Sequence, residues 1–287
     1  MPRISIVDGI FYPADFQQLE TAIRNCFLSK LGPKELPRGR TSKKIHGVIV
    51  PHAGYQFSGA CAAFAYKAIA ESRFPKRYIL LGVNHNLIIG RKFALSSQDW
   101  QTPFGIVKAD QEYIKKLESC KDSKLRVDEA LHRREHSIEV QLPFLQFVSK
   151  DKLHELRIVP ITVSEASYEE IKKAASCFTN DSVVIISSDF THYGPMYGYV
   201  LPTQNPKQDV EKLDKEAIEL ILNFKTKEFL EYTKDKTICG RFPIALGLEI
   251  LKKLGSSKGE LLSYYTSAEI SGSDDNFVGY AAIIFRD

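Results

Sequence analysis

Short apolar runs, each closed by polar residues, alternate along the chain with stretches of helical periodicity. In the first third this pattern predicts a helix from Asp15 to Ser29 and then a polar loop over residues 32–44. It next predicts a buried strand from His46 to Pro51, a tightly packed helix from Gly59 to Ala70, and a second buried strand from Arg77 to Val83. This order favours parallel pairing of the two strands through a right-handed crossover.

The same alternation returns in the second half of the chain. The predicted elements there are a strand at 156–163, a helix at 168–178, a strand at 182–188, helices at 209–224, 226–234 and 242–254, and strands at 261–268 and 277–285. The last two strands are expected to form an antiparallel hairpin. Because no repeat or low-complexity segment interrupts the pattern, we predict one domain over residues 1–287. Its expected fold is α/β, a three-layer α/β/α sandwich around a mixed, mainly parallel sheet.

Composition excludes several classes of protein. The 44% hydrophobic and 26% charged residues are typical of a globular protein, and no apolar run approaches the ~20 residues of a membrane span. The net charge of +4 comes from 39 basic and 35 acidic side chains that are mixed along the chain. We therefore expect neither a nucleic-acid partner nor a membrane association. Since the residues after Met1 do not form the apolar stretch of a secretory signal, we expect a cytoplasmic protein.

The five cysteines show none of the paired spacings of a zinc knuckle or a disulfide scaffold. Four are expected to be small buried hydrophobic residues. The fifth, Cys239, precedes Gly240, Arg241 and a predicted helix with Pro243 in its first turn. The N-terminus of that helix would lower the pKa of the thiol and favour the thiolate. The alternative for Cys239 is a buried residue that caps the helix.

Histidines follow both buried strands of the first third. His52 comes directly after the strand that ends at Pro51, and His85 comes shortly after the strand that ends at Val83. Ligands and catalytic groups gather at the carboxyl ends of strands in open α/β sheets. A single histidine at the start of a loop is more often a partly buried hydrogen-bonding residue than a ligand. Their matching positions favour a joint role, and two neutral imidazoles suit zinc, iron or copper.

A third histidine lies in the run from Glu135 to Phe144. Ser137 is expected to cap a helix in this run, which places His136 just ahead of the positive helix end. We predict that His136 belongs to the site. Arg133 and Arg134 next to it are equally well explained as members of a salt-bridged entry loop.

Asp189 and His192 follow the last strongly buried strand and are three residues apart. This spacing in a turn lets a carboxylate orient an imidazole, as general acid/base catalysis requires. Asp189 has a simpler alternative, because aspartate commonly begins turns. We predict His192 as the acid/base residue and Asp189 as the group that orients it.

Together these segments resemble the Memo family, also called the AmmeMemoRadiSam system protein B family, over nearly the whole chain. The resemblance rests on five motifs in order: Pro51-His-Ala-Gly-Tyr55, Leu81-Gly-Val-Asn-His85, Glu135-His-Ser-Ile-Glu139, Ser187-Ser-Asp-Phe-Thr-His192 and Thr237-Ile-Cys-Gly-Arg241. It implies a fold similar to the class III extradiol dioxygenases, which are non-haem iron enzymes. It also implies His52, His85 and Cys239 as metal ligands. A cysteine in place of the carboxylate ligand of those enzymes is a softer ligand, which favours copper or a redox role over ring cleavage.

Two functions follow as expectations. The first is a metal-binding protein, with iron or copper favoured and zinc an alternative, that carries redox or oxygenase-like chemistry on a small molecule. In it His136 would stabilise an anionic substrate, and zinc would instead favour hydrolysis by a bound water. The second is a non-catalytic module whose crevice binds a peptide or protein, with Arg133, Arg134 and Arg241 meeting an anionic partner. The resemblance also implies association with radical SAM and AMMECR1-type proteins.

Overall fold

The computed structural model describes residues 1–86, 91–121, 123–179 and 181–287. Its helices are α1 (Phe16–Leu28), α2 (Tyr55–Ala70), α3 (Gln111–Ser119), α4 (Ala130–Arg133), α5 (Gln141–Val148), α6 (Tyr168–Ala175), α7 (Pro206–Leu222), α8 (Thr226–Tyr232), α9 (Arg241–Lys253) and α10 (Ala268–Ser271). Its strands are β1 (Gly47–Val50), β2 (Arg77–Val83), β3 (Phe93–Leu95), β4 (Trp100–Thr102), β5 (Gly105–Ala109), β6 (Leu125–Val127), β7 (Arg157–Val163), β8 (Ser182–Ser187), β9 (His192–Tyr193), β10 (Lys258–Thr266) and β11 (Phe277–Arg286). None of the helices described here is both long and apolar enough to cross a membrane.

The strands form a mixed sheet in the order β10-β11-β1-β8-β2-β7-β3-β6. Strands β1, β8, β2 and β7 pair in parallel, whereas β10 and β11 form the predicted antiparallel hairpin and β11 continues antiparallel onto β1. In the register, Val50 lies opposite Ser187 and Leu81 lies opposite Ile186. The carboxyl ends of β1, β8 and β2 therefore lie side by side at one edge of the sheet.

Helices cover both faces of this sheet. Side chains of a strand alternate between the faces, so Val48 and Leu80 pack with α1, α2 and α5, while Ile49 and Leu81 pack with α6, α7, α8 and α9. All four side chains are fully buried. The predicted α/β fold with a mixed, largely parallel sheet between two helical layers is confirmed.

The direct pairing expected for β1 and β2 is wrong. Strand β8 lies between them and pairs in parallel with both, and β2 in turn separates β7 from β8. The sequence could not show this order, because an apolar run has the same composition beside any buried neighbour. The consequence is that the segment after β8, which begins with Ser188 and Asp189, lies between the segments that carry His52 and His85.

The start of α2 and the elements in residues 93–127 also differ from the prediction. Helix α2 begins at Tyr55, four residues before Gly59, because Gly54 is already the N-cap and its carbonyl accepts from the Phe57 and Ser58 amides. The short strands β3 to β6 in residues 93–127 were not predicted, since three to five residues are too few to show a clear period.

Cys120 and Cys177 form a disulfide, so the expectation of separate buried cysteines is wrong for this pair. They follow α3 and α6, which pack in the same half of the core. Their separation of 57 residues carries no local signal of this contact. Cys26 and Cys61 are buried free thiols, as expected.

Candidate metal centre

His52 enters the site directly after β1 and is buried, with 2% of its surface exposed. Its main-chain N–H donates to Asp189 Oδ1 over 2.8 Å. Its ring Nδ1 lies 2.9 Å from Ser187 Oγ at the end of β8. Burial lowers the pKa of His52 well below its ordinary value, and the neighbouring imidazoles of His85 and His136 lower it further. The ring is therefore neutral, which is the form that binds metals.

His85 is held by the buried carboxylate of Glu135. Its main-chain N–H donates to Glu135 Oε2 over 2.8 Å, and its ring Nδ1 lies 2.9 Å from Oε1. Burial opposes ionisation of Glu135, but the hydrogen bond from His85 and the electrostatic interactions with the rings of His85 and His136 lower the pKa of this carboxyl to about 2. Because an ionised carboxylate only accepts hydrogen bonds, Nδ1 of His85 carries the proton. Its other ring nitrogen, Nε2, is not used in this contact.

His136 completes a group of three imidazoles. Its ring stacks on that of His85 at a centroid distance of 4.7 Å and meets that of His52 edge-on at 5.5 Å. One ring nitrogen from each of the three histidines lies within 4.8 Å of the other two. Burial lowers the pKa of His136 to about 4, so this ring is neutral as well. Three imidazoles at this spacing, two of them with lowered pKa values, form a set of ligands that a transition metal ion accepts.

Ser137 does not cap a helix, contrary to the prediction, because α5 begins only at Gln141. Its hydroxyl oxygen instead accepts the Val83 N–H over 2.9 Å at the end of β2. Gly82 makes this approach possible, since a Cβ there would lie 2.6 Å from Ser137 Oγ. The contact brings His136, one residue earlier, up to the strand that precedes His85.

Cys239 lies beside His52, just before α9. Its Sγ is 3.3 Å from His52 Nε2 and accepts the Asp189 N–H over 3.3 Å. Burial, with the nearby Asp189 carboxylate, raises the pKa of this thiol well above its ordinary value. The predicted lowering of the pKa by the helix N-terminus is wrong, because desolvation of a buried thiolate outweighs the partial charge of a helix end.

His192 is oriented by main-chain carbonyls. Its Nδ1 lies 3.0 Å from the oxygens of both Phe190 and Thr237. Because carbonyl oxygens only accept, Nδ1 carries a proton, and Nε2 is the ring nitrogen that these carbonyls leave unused. These carbonyls do what the sequence had led us to expect of Asp189, whose Oδ1 instead accepts from His52 N.

These histidines open into a cavity of about 600 Å³. Its lining is formed by Ile10, Phe11, His52, Ala53, Gly54, Gln56, Phe57, His85, His136, Asp189, His192, Met196, Tyr197, Ser267, Ser271, Asn276, Val278 and Tyr280. Of these lining residues, none is an arginine or a lysine. Arg241, expected to meet an anionic partner, donates to the Leu230 carbonyl instead. The cavity therefore combines an imidazole-rich floor with largely apolar and uncharged walls.

Comparison with known proteins identifies the family. The model of the Memo-like protein family matches residues 3–284. The chain belongs to the Memo family. A MEMO1 family protein of Thermococcus onnurineus is 39% identical over 301 residues, which cover all of both chains. A MEMO1 family protein of Methanopyrus kandleri is 36% identical over 296 residues, which cover all of this chain and 99% of the relative.

In this Memo-family chain, two groups that hold the imidazoles were not predicted as members of the site. Glu135 was expected only as part of the run that carries His136, yet its side chain is fully buried and binds His85. Ser187 was expected only as part of the strand at 182–188, yet it contacts His52. The available signal was that both are polar residues inside apolar surroundings, and such groups in a folded protein have hydrogen-bond partners.

Proposed function

We propose that the cavity binds a transition metal ion, iron or copper, and carries redox or oxygenase-like chemistry on a small molecule. The observation that carries this proposal is the convergence of three imidazoles, His52, His85 and His136, whose ring nitrogens lie within 4.8 Å of one another. The pairing of the His85 ring with a buried carboxylate supports it, since histidine ligands usually donate their second ring N–H to such a partner. Iron or copper bound here would supply one-electron redox chemistry.

The proposed ligands are His52, His85 and Cys239, as the family resemblance implies. His136 is an alternative third ligand that the geometry supports. The thiol of Cys239 lies next to His52 Nε2, and a thiol that coordinates a metal loses its proton outright. His136 needs no such loss, because its ring is already neutral.

The remaining residues would bind the substrate and handle its proton. The Nδ1 proton of His192 is held by two carbonyl oxygens, and its Nε2 is the proposed acceptor for a proton from the substrate. The walls formed by residues such as Phe11, Phe57 and Tyr280 would exclude water around an uncharged, largely apolar substrate. With these walls, a neutral small molecule fits the cavity better than the anionic substrate that the sequence led us to expect.

The test is metal content after anaerobic purification of the untagged protein, measured by elemental mass spectrometry. We expect near-stoichiometric iron or copper in the wild type and loss of the metal in His52→Ala and His85→Ala. Cys239→Ser and His136→Ala decide the third ligand, because only the variant that lacks a true ligand should lose the metal. His154→Ala is the matched control, since this side chain is 79% exposed and lies outside the cavity lining.

Two outcomes would contradict the proposal. One is retention of the metal in both His52→Ala and His85→Ala. The other is an absence of iron and copper even after anaerobic reconstitution. Stoichiometric zinc that reconstitution with iron or copper does not displace would instead favour hydrolysis by a zinc-bound water.

The alternative of a peptide-binding module is tested separately. Binding of a tyrosine-phosphorylated peptide to the metal-free His52→Ala protein would support it. The uncharged cavity walls argue against an anionic peptide there, because no lining side chain supplies a guanidinium for the phosphate. The cytoplasmic location and the association with radical SAM and AMMECR1-type proteins stay predictions.

A further inference from the structure

A chain of buried hydrogen bonds leads from helix α5 to the ring Nδ1 of His52. Gln141, with 1% of its surface exposed, begins it in the first turn of α5. Its Nε2 lies 3.0 Å from the Pro51 carbonyl oxygen and 2.9 Å from Ser187 Oγ. Because a carbonyl only accepts, the Pro51 contact fixes which end of the Gln141 amide carries the hydrogens. That NH₂ group therefore also donates to Ser187.

The direction of the next bond follows from the Ser187 hydroxyl. Its oxygen lies 2.7 Å from the Ser137 carbonyl oxygen, to which it must donate its single hydrogen. The same oxygen accepts from Gln141, so one lone pair is left to face His52 Nδ1 at 2.9 Å. A hydroxyl whose hydrogen is already used can only accept from this nitrogen. The proton of the neutral His52 ring is thus on Nδ1.

A sulfur on the other side of the ring competes for this proton. Cys239 Sγ lies 3.3 Å from His52 Nε2, whereas Asp189 Oδ2, at 4.0 Å from the same nitrogen, is too far for a hydrogen bond. The sulfur is able to accept from an Nε2–H, and that tautomer would have no lone pair to offer the cavity. Burial alone therefore does not decide which ring nitrogen of His52 carries the proton. The group that contacts Nδ1 must do so.

We propose that Ser187, held in place by Gln141, is the positioning residue that keeps the proton of His52 on Nδ1 and presents the Nε2 lone pair to the cavity. Neither the sequence motifs nor the family comparison gives Ser187 or Gln141 a role in the metal site. The statement about the tautomer stands without a metal. Its consequence for metal affinity rests on the proposed function.

The test is the tautomer of His52 in the metal-free protein, read from long-range ¹H–¹⁵N NMR spectra of ¹⁵N-histidine-labelled samples. In the wild type we expect a protonated Nδ1 and an imine-like Nε2. In Ser187→Ala the resonance of Nε2 should move towards the protonated position. Gln141→Met should move it in the same direction by a smaller amount, because Ser187 keeps its bond to the Ser137 carbonyl. Assignment of the resonance comes from its absence in His52→Ala.

Matched variants separate positioning from a general loss of stability. Ser182→Ala removes a buried hydroxyl from the same strand, and Ser182 Oγ has no hydrogen-bond partner within the described parts of the chain. This control should leave the His52 resonance unchanged. Ser187→Thr keeps the hydroxyl and should restore the wild-type tautomer. Metal affinity, measured by competition with a chelator, should fall about 10–100-fold in Ser187→Ala and remain near wild type in Ser182→Ala.

An Nε2–H tautomer in the wild type would overturn the inference, and so would an unchanged tautomer in folded Ser187→Ala. If Ser187→Ala does not fold, the Gln141→Met spectrum decides between the same two results. A wild type that shows the expected tautomer but binds no metal would contradict the proposed function and leave the inference about Ser187 unchanged.

Discussion

Replacing Arg3 by methionine should leave a buried carboxylate without its counter-charge. Arg3 Nη1 lies 2.7 Å from Glu139 Oε2, and the two side chains are 4% and 0% exposed. The guanidinium also donates to the carbonyls of His132 and Glu135 and lies over the Trp100 ring at 4.1 Å. One side chain thus ties the start of the chain to the segment that carries His136.

The size of the expected loss in unfolding free energy follows from the groups that still contact Glu139 in the variant. In Arg3→Met, Glu139 keeps three donors: the N–H groups of Ile6 and Val7 and the hydroxyl of Tyr12. These satisfy the oxygens but supply no positive charge, and an uncompensated buried charge costs about 3–5 kcal/mol of unfolding free energy. Adding Glu139→Gln removes the stranded charge. The double variant should therefore be more stable than Arg3→Met alone.

Urea unfolding followed by far-UV circular dichroism measures these differences. Arg38→Met is the control, because Arg38 is 77% exposed in its ion pair with Glu35 and such pairs contribute less than about 1 kcal/mol. A loss in Arg3→Met no larger than in Arg38→Met would refute the reasoning. A double variant less stable than Arg3→Met would refute it as well.

Three further predictions concern stability. Burial raises the pKa of Asp214 to about 6, so its folded carboxyl keeps a proton that the unfolded chain loses. The free energy of unfolding therefore falls by about 3 kcal/mol as pH rises from about 4 to about 6. Urea titrations of Asp214→Asn should lack this fall. An equal fall in the variant would contradict the prediction. A Cβ at Gly82 would lie 2.5 Å from Ile138 Cγ1, so Gly82→Ala should lose about 1–3 kcal/mol and bind less metal. If Gly82→Ala unfolded at the same temperature as the wild type, the segment with Ile138 would have made room for the methyl group, and the prediction would be wrong. Cys177→Ser opens the 57-residue loop closed with Cys120 and should cost about 4 kcal/mol under oxidising conditions. Reduced wild type should match this variant, and equal stability of the oxidised wild type and the variant would exclude the disulfide as a stabilising link.

Local pattern was enough to predict the main elements. Strands β1, β2, β7, β8 and β11 are continuous apolar runs because helices cover them on both faces, and burial on both faces imposes that composition on the sequence itself. For the same reason the polar residues that end these runs stand out. His52, His85, Asp189 and His192 were found in this way, and the structure brings all four to one cavity.

Features that depend on contacts between distant segments could not be predicted from the local pattern of apolar and polar residues. The insertion of β8 between β1 and β2, the Cys120–Cys177 bond and the carboxylate of Glu135 behind His85 join residues 50 or more positions apart, or strands whose composition is alike. The pKa of Cys239 was predicted in the wrong direction because a helix start is visible in the sequence and the depth of burial is not.

Periodicity and composition record burial locally, so the α/β class, the central strands and the candidate residues at their carboxyl ends could be predicted from the sequence. Which of these side chains meet, which ring nitrogens carry protons and which carboxylates lose them depends on the folded arrangement. Those properties are set by partners that only folding brings within hydrogen-bond distance.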